Sequence, residues 1–263
     1  MKRTVSSSLT LDSSGTADVV LAIAVAAGYD ADEELTITRD GARITPTEIL
    51  DAHGTRLHRF TAPAGTVQVD YRATVTGGVE QATASALDTM TYLRPSRYCE
   101  SDTLLPIAVA EAGGRQGHEL VRHVSSWVGT QLAYVSGSSR PIDGAVATVL
   151  ARAGVCRDFA HLVVAMLRSL DVPARVAAVY APGLKPMDFH AVAEALVDGK
   201  WWVVDATALA PRPSLVRIAT GRDAADTAFM TTIGDPVDLV SMEVSAVADE
   251  LPRDDEDLHV ALV

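Results

Sequence analysis

Along the first part of the chain the apolar positions recur at every second residue, and beyond about residue 100 they recur at every third or fourth. Ser6 to Leu11 alternates, and Ala17 to Ala27 has the pattern of a buried strand. Leu35–Arg39 runs into Asp40-Gly41, a hairpin turn signal, and Arg43–Pro46 leaves that turn. His58–Thr61 and Val67–Val75 alternate on either side of Pro63 and Gly65. Short strands separated by close turn signals predict a small antiparallel β-sandwich ending near Gly77-Gly78. Residues 1–85 are therefore assigned to a first domain, and 90–263 to a second.

A linker-like stretch with Pro95 precedes the change of period. Ser101-Asp102 is placed to cap a helix opening near Leu104. Leu120, Val121, Val124, Trp127 and Val128 form one helical face within 117–128, and a short helix is expected over 144–153. The clearest helix spans 155–170: Phe159, Leu162, Val163, Met166, Leu167 and Leu170 make a continuous stripe that Asp171-Val172-Pro173 stops. Strands are expected over 174–180, 190–197 and 200–206, the last two joined through Asp198-Gly199. Residues 237–247 alternate again as a late strand, and the acidic 253–257 reads as a solvated tail or turn.

Composition narrows the class. Of 263 residues 48% are apolar and 21% charged, which suits a soluble domain with a real core. The net charge of −12, with no basic stripe, argues against nucleic acid as a partner. The start lacks an apolar signal-peptide core, and the apolar run 19–27 is too short to span a bilayer, so a cytoplasmic location without membrane association is expected. Two cysteines, Cys99 and Cys156, make neither a disulfide framework nor a four-cysteine zinc site.

Cys156 sits where a loop enters the clearest helix. A thiol in the first turn faces the positive end of the helix dipole, which favours the thiolate, and free N–H groups there can hold an oxyanion. On position alone Cys156 reads equally as a small core residue, whereas Cys99 lacks any such setting and reads as structural. His190 opens one strand of the Asp198-Gly199 hairpin and Asp205 ends the other. Folding about that turn sets His190 opposite Thr207, which brings Asp205 within reach of the imidazole. Such a carboxylate fixes the tautomer and stabilises the imidazolium.

His161, five residues after Cys156, is about 140° round the helix from it and is read as a packing histidine. His118 and His123 are also five apart, where a zinc motif needs four, so no metal is expected. No phosphate-binding glycine loop and no calcium loop is present, and no cofactor is expected.

GVCRDFAHLVVAMLRSL over 154–170 with DVPAR after it, DFHA over 188–191 and WWVVDAT over 201–207 together resemble bacterial transglutaminase-like proteins. YLRPSRY over 92–98 with Ser101-Asp102 resembles the entry to their catalytic domain, and the likeness covers about 90–235. The resemblance implies an α+β protein: an N-terminal antiparallel β-sandwich followed by a papain-like transglutaminase core, a helix bundle packed on an antiparallel sheet. It implies Cys156 as nucleophile, His190 as base and Asp205 as orienter, acting by thiol acyl transfer on a protein or peptide substrate. Tyr134, upstream of the cysteine, is a candidate oxyanion donor, with packing as its alternative role. Arg157 and Asp158, beside the thiol, are further candidates for oxyanion or substrate contacts. The chain departs from the family at Val192, where a Trp is common, and at Ala193-Glu194-Ala195, where the strand is usually bulkier. A smaller or differently shaped substrate side is expected. Gly221–Asp226 resembles a family loop that either shapes the cleft or forms a solvated turn.

Overall fold

A computed structural model describes residues 1–81, 83–255 and 257–263. The chain first lays down β1 (Lys2–Ser13), β2 (Ala17–Leu21), β3 (Asp30–Arg39), β4 (Ala42–Arg43), β5 (Thr47–Leu50), β6 (Arg56–Ala62) and β7 (Gly65–Thr76). It continues through α1 (Ala86–Thr91), α2 (Ser101–Ala112), α3 (Gly117–Gln131), β8 (Ala133–Tyr134), α4 (Ala145–Ala151), β9 (Ala153–Gly154) and α5 (Cys156–Ser169). Then come β10 (Ala174–Tyr180), β11 (Phe189–Val197), β12 (Lys200–Val204), β13 (Val216–Gly221), α6 (Ala224–Thr227), β14 (Met230–Gly234) and β15 (Val237–Ala248). The result is an α+β protein.

The alternation read in the first eighty residues has its physical counterpart in burial. Val5, Leu9 and Leu11 of β1, Val19 and Leu21 of β2, Phe60 of β6 and Val67, Val69 and Val75 of β7 are all buried in one apolar cluster. Two antiparallel sheets contribute to it, ordered β15-β1-β7-β3-β4 and β14-β2-β6-β5. The strand expected over 17–27 stops at Leu21; residues 22–26 stay buried as irregular chain. One of them is anchored by its backbone, Ala26 N–H donating to Arg217 O at 2.9 Å.

The division at residues 85–90 needs correcting at its far end. β15 pairs antiparallel with β1 along nearly its whole length, Arg3 opposite Ala248 and Ser13 opposite Val237. β14 pairs with β2, Met230 opposite Leu21. The last strands therefore complete the first two sheets rather than the second unit. The alternation of 237–247 identified a strand, but a half-buried strand carries no label for the sheet it joins. The described residues of the acidic 253–257 are exposed, and within it Asp254 receives Arg212 Nη2 at 2.9 Å and Asp257 receives Arg122 Nη1 at 2.5 Å. Glu256, within that stretch, lies outside the described residues.

The second half is organised around α5. Residues 158–168 of this helix are all buried, because α2, α3 and α4 pack on it from one side and the sheet β12-β11-β10-β13 from the other. Ala193, Ala195 and Val197 of β11 share its core. Arg168, unexpectedly interior, spends its guanidinium on Ala174 O, Arg94 O, Ser96 Oγ and Arg222 O at 2.7–3.0 Å. A buried guanidinium is tolerable only when its donors are met. The hairpin at Asp198-Gly199 has both residues at positive φ, 52° and 75°, the backbone of a tight type I′ turn.

Candidate active site

Cys156 is the first residue of α5, and the loop that delivers it is held from below. Asp158, wholly buried, accepts the Val155 N–H at 2.8 Å, so its side chain closes the first turn of the helix. Gly154 makes this possible: a Cβ there would lie 2.7 Å from the Asp158 Cβ. Arg157 turns away to pair with Asp158 at 2.9 Å and with Ser139 Oγ and Arg140 O at 3.1 and 3.0 Å. These two side chains, taken from sequence as candidate oxyanion or substrate contacts, are engaged in fixing the loop around the thiol.

The hairpin register carries His190 to the same place. β11 and β12 pair with Val197 opposite Lys200 and Ala193 opposite Val204, which puts Asp205 just past the paired segment. His190 Nε2 lies 2.8 Å from Asp205 Oδ2, and both side chains are nearly solvent-free. Asp205 Oδ1 accepts the Thr207 N–H at 2.9 Å and its hydroxyl at 2.7 Å. Thr207 was missed as a site residue, although an Asp followed two residues later by a donor is the signature of an Asx turn.

The electrostatics follow from these contacts. Burial favours the neutral acid at Asp205, but His190 and the Thr207 donors offset it and hold the carboxyl below the usual range. Burial alone would push the His190 imidazole down; Asp205 and the Cys156 side chain outweigh it and raise its pKa to about 10. Its Nδ1 is buried with no hydrogen-bond partner among the described residues. The ring thus commits Nε2 to the carboxylate and leaves Nδ1 free.

Tyr134 reaches the cysteine by a route the sequence did not reveal. β8 and β9 pair in parallel, Tyr134 opposite Gly154, which places the tyrosine beside the entry to α5. Its ring lies 5.9 Å from that of Phe159 and is 46% exposed, so it is no core residue. Burial of the hydroxyl and the adjacent Cys156 raise its pKa to about 12, which keeps the phenol a donor at neutral pH.

Other sequence candidates fall elsewhere. His161 is buried, stacked 5.4 Å from Tyr98, and its Nε2 accepts the Ala224 N–H at 3.0 Å; burial lowers its pKa to about 4. Gly221–Asp226 is not a solvated turn at its centre, because Asp223 is buried and accepts the Tyr98 N–H at 2.9 Å. Val192 is buried in a cluster behind the sheet. His118 stacks on His259 at 3.6 Å, whereas His123 meets Glu111 O at 2.8 Å, so the two rings diverge. Among the described residues no group of three His, Cys, Asp or Glu could hold a metal ion. No helix among them is long and apolar enough to cross a membrane. Cys99 is fully buried, and that burial pushes its thiol up.

A helix-borne thiol beside a histidine–carboxylate hairpin defines a papain-like thiol enzyme scaffold, and comparison with known proteins agrees. The model of the transglutaminase-like superfamily matches residues 107–206. A crystal structure of a candidate cysteine protease from Cytophaga hutchinsonii superposes with a TM-score of 0.88 at 33% identity, covering 98% of this chain and 95% of that one. The chain belongs to the transglutaminase-like superfamily. An uncharacterized protein of Mycobacterium leprae is 28% identical over 153 residues, 52% of this chain and 52% of its own length. The periplasmic domain of TgpA from Pseudomonas aeruginosa aligns at 18% identity and a TM-score of 0.45, covering 75% of this chain and 91% of that one.

Proposed function

We propose that this protein hydrolyses amide bonds in peptide or protein substrates through a thioester on Cys156, with His190 as acid–base and Asp205 as its orienter. The observation that carries this is the division of labour on one imidazole: Nε2 bound to Asp205 and Nδ1 left for the thiol. Proton transfer between the Cys156 sulfur and His190 Nδ1 is the step this arrangement serves, with the sulfur at the positive end of α5.

The thiolate attacks the amide carbonyl carbon, and the carbonyl oxygen takes up the negative charge. Amides are poor electrophiles, so that charge needs donors. In this reading the Cys156 backbone N–H and the hydroxyl of Tyr134, the neighbour of Gly154 across the β8–β9 bridge, supply two. The intermediate collapses as His190 Nδ1–H protonates the departing nitrogen, leaving a thioester and a neutral imidazole. His190 then takes a proton from water, the hydroxide adds to the thioester, and the acid leaves with the thiolate restored. Water as acceptor is favoured over an amine because the Cytophaga hutchinsonii protein, similar over nearly the whole chain, is described as a candidate cysteine protease.

The test is the pH dependence of iodoacetamide labelling at Cys156, in wild type and His190→Ala, followed by turnover of a quenched peptide library. Rapid labelling at pH 6, abolished by His190→Ala, with free amine released from peptides, is the expected result. A slow thiol indifferent to His190 would leave an inert scaffold that binds partners. Amine incorporation without hydrolysis would make the protein a cross-linker.

A further inference from the structure

We propose that a cavity on the sheet away from Cys156 is a second ligand site, taking a small organic monocarboxylate with an apolar body. The cavity holds about 730 Å³, and none of Cys156, His190 or Asp205 lines it. That volume lies in the range of small-molecule pockets.

Its chemistry comes from three charges on adjacent strands. Glu194 of β11 is fully buried; it accepts Arg175 Nε at 2.8 Å and both Nη atoms of Arg217 at 2.7 Å. Two guanidiniums share one carboxylate, so the group carries one positive charge in excess. Arg217 also gives Nη1 to Thr220 Oγ1 at 2.6 Å, so both hydrogens of Nη1 are engaged. Arg175 commits only Nε: its Nη atoms have no hydrogen-bond partner among the described residues, although the side chain is only 4% exposed. Arg175 lines the cavity, and a carboxylate on a guanidinium edge is the natural complement of its free Nη donors.

The Arg175 plane is fixed, stacked 3.9 Å from the Trp201 ring. The neighbouring acids set the charge of the ligand. Asp88 is engaged by the Ser85 N–H at 2.9 Å and by His53 at 3.6 Å, and Glu80 stands on the wall. Both acids repel a dianion such as a phosphate about twice as strongly as a single carboxylate, which the Arg175 edge can match by itself. Leu87, Val79 and Leu262 line the remaining wall and suit an apolar body.

Calorimetric titration of the full chain carrying Cys156→Ala, with N-acetyl-leucine and N-acetyl-leucinamide as probes, tests the proposal apart from any reaction at the thiol. The acid should bind saturably and the amide about tenfold more weakly or worse; Arg175→Lys, which keeps the charge but loses the fork, should cost the acid about tenfold. Ala52 is exposed on the cavity wall, so Ala52→Trp should keep the fold and abolish binding. Equal binding of acid and amide, no saturable binding of either, or acid binding that survives Ala52→Trp would overturn the assignment. Each of those results leaves the peptidase reading standing, as failure of peptide hydrolysis leaves this one.

Discussion

His190 meets Asp205 through Nε2 at 2.8 Å and is left with a buried, unpartnered Nδ1 among the described residues. The carboxylate therefore selects which nitrogen is engaged and which stays free. Asp205→Asn should fold, since Thr207 can still bond the side-chain oxygen. It should lower kcat on a peptide substrate by about 10⁴-fold, the loss seen when such an orienter is neutralised. Wild-type rates in that variant would remove Asp205 from the mechanism.

The same pair gives stability a definite pH dependence. His190 titrates higher in the folded chain, about 10, than its ordinary value of 6.5. A raised pKa stabilises fully below the unfolded value, and the contribution is lost as pH rises through the folded one. Urea midpoints should fall between about pH 6.5 and pH 10. His190→Gln, less stable at neutral pH, should show a flatter curve there. Asp205 is shifted down, so its contribution is lost only as pH falls below the ordinary 3.8.

Tyr134→Phe removes a hydroxyl beside Cys156 without disturbing the ring contact to Phe159. If the phenol holds the oxyanion, kcat should fall on the order of 10²-fold with KM nearly unchanged. Iodoacetamide labelling, which forms no oxyanion, should stay near wild type. A loss of labelling in parallel would indicate a role in placing the thiol.

Gly154→Ala tests the support of the nucleophile loop. The new methyl would meet the Asp158 Cβ at 2.7 Å, so the first turn of α5 must shift. Overpacking of this kind costs about 1–3 kcal/mol. Thermal unfolding should report the loss, and alkylation of Cys156 should slow as the turn moves.

A fragment ending at residue 85 should not fold alone. β1 and β2 would each lose an antiparallel partner, β15 and β14. Poorly dispersed amide resonances in the fragment, sharpening when a 230–248 peptide is added, would bear this out. A well-dispersed spectrum from residues 1–85 alone would contradict it.

What the sequence by itself determined was local. The period-two pattern of β1 and β7, the stripe of α5 and the Asp198-Gly199 turn each reside in a few neighbouring residues, and each has its own physical signature. The turn even set the register, which is why Asp205 matches His190 on the sequence alone. Tertiary structure decided what depends on distant residues. Alternation in 237–247 is the same whichever sheet the strand joins, and only pairing with β1 assigned it. Arg168, Arg175 and Glu194 look like surface charges in the sequence, and their burial depends on partners contributed by other segments. Tyr134 lacks any periodic signal, and only the parallel bridge to Gly154 brought its hydroxyl to the thiol.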